Sequence, residues 1–179
     1  MTTPTTYSQD AAVTALTNDR DTVMAALTES PPNRQTPYPV VYNPLGDDPM
    51  TLLDIVAHVI MWDEINLAVL TEARAGRAHW SLRTPWENPQ AASALNAGGI
   101  VAGRLLTADL VIDRFLSVRA ATIATIEQTP PEQWSAPLPF SCPGDDRSLA
   151  GLCGYVNTPE SDHTGAYTYR HTVIHLGTT

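Results

Sequence analysis

The chain has 179 residues, 43% of them hydrophobic, which is enough for one domain with a substantial core. Its net charge is −9. A chain this acidic opposes phosphate backbones and anionic lipid heads, so nucleic acid and membrane surfaces are excluded as expected partners. All ten basic residues are Arg, beside abundant Ala and Thr, a usage resembling that of high-GC bacterial genomes.

The longest apolar run, Ile55 to Met61, is interrupted by His58 and falls far short of the roughly 20 residues that span a bilayer. The opening MTTPTTYSQD lacks the basic and apolar regions of a secretory signal, so the cytoplasm is the expected address. Cys142 and Cys153 show no CxxC spacing and read as two ordinary thiols.

In chain order, Ala12, Val13, Leu16, Val23, Ala26 and Leu27 recur at helical spacing and predict a first helix from Ser8 to about Leu27, stopped by Ser30-Pro31-Pro32. The proline-rich stretch 31–49 predicts an ordered connector. A second helix is expected from about Pro49 to Ala75, with Asp48-Pro49 and the Thr51–Asp54 capping box as competing starts. It is apolar nearly all round over Leu52 to Trp62 and ends at Gly76. Residues 77–89, with Trp80 and Trp86, read as a folded loop. A third helix is expected from Asn88-Pro89 through Leu105, Leu106 and Leu110 to Glu127, then a Pro/Gly connector, then a fourth helix from about Pro159 to Leu176. Four helices joined by long proline-rich connectors predict an all-α four-helix bundle, a single domain over residues 1–179.

The histidines carry the chemistry. His171 and His175, four residues apart on the last predicted helix, project about 40° apart and one turn along the axis, a geometry in which two imidazoles share one metal ion. His58 lies in the apolar run AHVIMWDE, where an unpartnered ring would be costly, and so needs a partner inside the bundle. If the second and last helices are neighbours, the three rings converge on one cation; the bland alternative is two surface histidines and one core histidine.

The order TLLDIVAHVIMWDE, PWENPQAASALNAG and YRHTVIHL resembles that of the DinB-like superfamily of small helical metalloproteins. The resemblance implies an up-down-down-up bundle and a divalent ion, zinc or nickel, on His58, His171 and His175. It also implies one of two activities. One is a thiol-dependent transferase or isomerase using a mycothiol-type low-molecular-weight thiol, as in the maleylpyruvate isomerase group. The other is self-protection against a reactive metabolite, as in the colibactin-resistance group, with or without metal.

The expected function is therefore that of a metal-dependent enzyme acting on a small electrophilic substrate, with a metal-activated thiol or water as nucleophile. Tyr167, one turn before His171, is the candidate proton donor, against packing as its alternative; His163 is weighed as a fourth ligand. Asp54, one turn before His58, is a candidate acceptor for the ring N–H, against a first-turn helix charge. Asp63 sits about 140° from His58 and is set aside. Trp62 and Trp86 are candidate walls of an apolar substrate pocket, against simple core packing. His79 reads as a loop contact, and Arg104, Arg114 and Arg119 as outward or pocket-edge cations. Two competing classes are a non-catalytic binder that sequesters a reactive molecule and a structural homodimer whose histidines are ordinary core residues.

Overall fold

The computed structural model describes residues 8–31, 45–46, 49–82, 89–141 and 147–157. Among them are six α-helices and a single 3-10 turn, Trp80–Leu82: α1 (Gln9–Glu29), α2 (Leu52–Arg74), α3 (Pro89–Gly103), α4 (Ala108–Glu127), α5 (Pro131–Ser135) and α6 (Leu149–Asn157). No described helix is long and apolar enough to cross a membrane.

The first two helices start where side-chain caps dictate. Ser8 accepts from the Ala11 N–H at 3.1 Å, and α1 presents a narrow buried stripe of Ala12, Leu16, Asp19 and Val23. Of the two competing starts for α2, the capping box wins. Thr51 Oγ1 accepts from the Asp54 N–H at 3.1 Å while Asp54 accepts from the Thr51 N–H at 2.8 Å, so the helix begins at Leu52, not Pro49. It ends at Arg74 with Ala75 as its C-cap, and Gly76 follows with φ 71°, a left-handed conformation that ends the helix at little steric cost to Gly.

The expected third helix is two helices. After Ile100 the chain tightens, with Leu105 N–H donating to Ala102 O and Leu106 N–H to Gly103 O, and Thr107 then caps α4 through the Leu110 N–H. The apolar residues that suggested continuity sit on this corner and point out: Leu105 is 84% exposed. The second correction is α6. It forms inside the stretch read as a connector, because Leu149, Ala150, Leu152 and Cys153 are all buried and Ser148 Oγ accepts from the Gly151 N–H at 3.0 Å. The expected helix from Pro159 to Leu176 lies outside the described residues.

Side-chain contacts fix the directions. Asp54 meets Arg104 and Trp62 meets Asn96, so α3 runs antiparallel to α2. Glu64 meets Arg114 and Arg74 meets Gln128, so α4 runs parallel to α2. Gln9 meets Ile126 and Asp19 meets Arg119, so α1 runs antiparallel to α4. Helices α1, α2 and α4 thus run up, down, down, with α3 folded back along α2.

Two main apolar clusters fill the interior. Val23, Val56, Ile60 and Phe115 belong to one, near the start of α2; Leu16, Leu70, Ile126, Trp134 and Leu152 belong to the other, near its end. Each fully buried Leu, Ile or Phe contributes about 1.5–3 kcal/mol. Between the clusters lies a layer of charge, described below.

Candidate functional site

Helix α2 is buried along most of its circumference, and it carries the described part of the candidate site. His58 sits near its middle and is 2% exposed, between Val59 on one side and Ala57 on the other, both buried. One turn later Trp62 is equally enclosed, and its indole N–H donates to Asn96 Oδ1 of α3 at 2.8 Å. A further turn on, Asn66 is buried, and its Oδ1 meets no hydrogen-bond donor among the described residues. His58, Trp62 and Asn66 lie within about 80° of one another around the axis, so a single inward strip bears an imidazole, an indole and an amide.

Asp54 also falls on this side of the helix, but its carboxylate is directed elsewhere. Arg104 Nε reaches Oδ1 and Arg104 Nη2 reaches Oδ2, both at 2.9 Å, and Oδ2 also takes the Thr51 N–H. These contacts make it the acid of the capping box and the anchor of Arg104. Burial raises its pKa, yet the Arg104 guanidinium and the Thr51 N–H outweigh that and hold it below the usual aspartate value.

The spacing of Arg119 predicts an outward or pocket-edge cation. Its side chain is instead fully buried, with Nη2 on Asp19 Oδ2 at 2.8 Å and Nε on Asp63 Oδ2 at 2.6 Å. The cause is nonlocal: α1 and α2 each direct an aspartate inward at the same level, and a cation from α4 is what makes their burial tolerable. Sequence reasoning missed this centre, although Asp19 on the apolar stripe of α1 was its visible signal. Arg104 is the partner of Asp54, and Arg114 pairs with Glu64 at the surface.

His79 behaves as a loop contact. Its Nδ1 lies 2.8 Å from Ser81 Oγ and accepts from the Ser81 N–H at 3.3 Å, which caps the 3-10 turn, and its ring tilts against Trp80. Burial lowers its pKa, against the smaller opposing effect of Glu72.

His171, His175, Tyr167, His163, Trp86 and Cys142 lie outside the described residues. Among the described residues no group of three or more His, Cys, Asp or Glu side chains is placed to hold a metal ion. Of the expected ligands His58 alone is described, and it suits a ligand in being an inward imidazole on a rigid helix. It does not by itself make a site, and no reaction step is derived through a metal.

The described helices form an all-α bundle whose helix α2 carries a buried, chemically mixed strip. The particular family follows from comparison: the profile of the DinB superfamily matches residues 9–167, and the chain belongs to that superfamily. No curated protein matches the chain, and no solved structure does.

Proposed function

We propose that this DinB-superfamily protein binds a small organic molecule in the bundle interior, along the α2 strip of His58, Trp62 and Asn66, and protects against a reactive metabolite by sequestering it. The observation that carries this reading is the Asn66 amide. A buried carbonyl oxygen without a donor costs about 1–3 kcal/mol, and a bound molecule presenting an N–H or O–H would recover that cost. Trp62 would supply an apolar wall beside it, and Trp86, outside the described residues, is the candidate for a second wall.

The test is a titration of the full chain with a panel of small aromatic and electrophilic metabolites, followed by tryptophan fluorescence and by heat. The expected result is saturable binding that weakens tenfold or more in Asn66→Leu, a variant whose circular dichroism should stay helical. No saturable ligand across the panel, or binding indifferent to both Asn66→Leu and Trp62→Phe, would remove the proposal.

A second reading is favoured by the position of His58, an imidazole in the middle of an otherwise apolar stretch of α2. In it, His58, His171 and His175 hold a divalent ion, zinc or nickel, and Tyr167 donates a proton to the substrate. Such an ion would favour the anionic form of a mycothiol-type thiol or of water. Elemental analysis of untagged protein decides: near one equivalent of metal, lost in His58→Ala and in the His171→Ala/His175→Ala double variant, supports it, and metal-free protein after reconstitution rejects it.

A further inference from the structure

Four of the five large hydrophobic side chains exposed among the described residues fall within ten positions, at the corner where α3 turns into α4. They are Val101, Leu105, Leu106 and Leu110, and three of them are more than half exposed. Apolar side chains scattered singly are ordinary on a protein surface, whereas a gathered, exposed group marks a face that another molecule covers. The face continues along α4 as a row of small exposed residues. Ser117 and Ala121 lie about 20° to either side of Leu110 around the helix axis, so the row admits close approach of a second helix.

The charges beside this row are split by sign. Asp113 stands about 60° to one side of Leu110 and Arg114 about 40° to the other, both exposed. Arg114 lies on the α2 side, where Glu64 takes two of its five N–H donors, and 43% of its side chain stays exposed. We propose that this face pairs with the same face of a second copy of the chain, across a two-fold axis that runs along α4. The two α4 helices are then parallel, and Leu110, Ser117 and Ala121 each meet their own counterparts. The Asp113 flank of each copy lies against the Arg114 flank of the other, whereas an antiparallel pairing would set acid against acid. A net charge of −9 makes two copies repel overall, so charge selects the one alignment that matches carboxylate to guanidinium, while the leucines supply the burial.

The experiment is sedimentation velocity on the full chain at near-neutral pH, from about 5 to 500 µM, beside Leu105→Glu/Leu110→Glu and Asp113→Arg. The expected result is a wild-type dimer with a dissociation constant in the micromolar range, weakened about tenfold or more in both variants. These substitutions are on the surface, so circular dichroism should match wild type, and the wild-type series decides alone if a variant does not fold. Disulfide trapping then reads the geometry. On mild oxidation Leu110→Cys and Ser117→Cys should each link to the same position of the partner, with peptide mass spectrometry separating these links from any through Cys142 or Cys153. A chain that stays monomeric at the top of the concentration range would overturn the proposal and leave the corner to a different protein. So would a dimer indifferent to both variants, or trapping of Leu110→Cys without trapping of Ser117→Cys.

Discussion

Arg104, the first residue after α3, grips Asp54 in the first turn of α2 through two hydrogen bonds of 2.9 Å each, while its Nη2 also donates to the Pro49 carbonyl at 3.2 Å. The fork fastens one end of the α2–α3 pair a single turn from His58. Asp54→Asn keeps the shape but loses the charge that both Arg104 and the helix start require. Its expected cost is about 1 kcal/mol, measured as a lower urea midpoint at pH 7. Because the Asp54 pKa is depressed in the fold, its contribution is present above the unfolded aspartate value and lost as pH falls through the folded one. The gap between wild type and Asp54→Asn should therefore narrow below about pH 4, which an acid series of melts would show.

Next to that fork, α3 presses its glycines onto α2. A Cβ at Gly103 would overlap the Ala57 Cβ, and one at Gly99 would sit 3.0 Å from the Met61 Cβ. Gly103→Ala should destabilise by about 1–3 kcal/mol through overpacking, despite the better helix propensity of alanine. The exchange Ala57→Gly with Gly103→Ala moves the methyl group across the same interface and should recover most of the loss. Thermal melts of the two singles and the double form the cycle, and a double variant no better than Gly103→Ala alone would contradict this account of the contact.

Truncating Arg119 removes the cation from between two buried acids. Arg119→Ala should cost about 3–5 kcal/mol at pH 7, because it takes the guanidinium away from two buried aspartates. Combining Asp19→Leu, Asp63→Leu and Arg119→Met removes that penalty as well as the attraction, so the triple variant should be far closer to wild type than the single one. Denaturant unfolding of both variants separates the cost of an orphaned charge from the worth of the centre itself.

Trp62 offers an optical check on the α2–α3 seam. Asn96→Leu leaves the indole N–H without the acceptor it meets at 2.8 Å, an expected loss of about 1–3 kcal/mol. Asn96→Asp keeps an acceptor and should retain more stability than the leucine variant. Urea midpoints followed by tryptophan fluorescence read out the comparison.

Much of the main-chain plan was legible because its signals are local. Ser8 and the Thr51–Asp54 pair mark the starts of α1 and α2, and Gly76 marks the end of α2. The corner between α3 and α4 was hidden because Leu105, Leu106 and Leu110 continue a helical pattern that the fold leaves largely in solvent. Helix α6 was hidden by Gly151 and Gly154, which dilute an otherwise apolar run. The deepest omission, the burial of Arg119, has no local signal of its own: it depends on two aspartates 100 and 56 positions away arriving from other helices. The inward placement of His58 was inferable from its apolar neighbours, whereas its proposed metal partners fall outside the described residues.

The charged centre also settles how far along α4 the first helix can lie. An apolar stripe of Ala12, Leu16 and Val23 would by itself pack almost as well after a slide of one turn, since one small hydrophobe replaces another in each hole. Asp19 forbids the slide. Displaced by a turn it would face the packing sites of Leu16 or Val23, far from Arg119, and Gln9 would lose the two carbonyls at the end of α4. A group that contributes little net stability thus selects a single alignment of α1 from several that hydrophobic packing alone would permit.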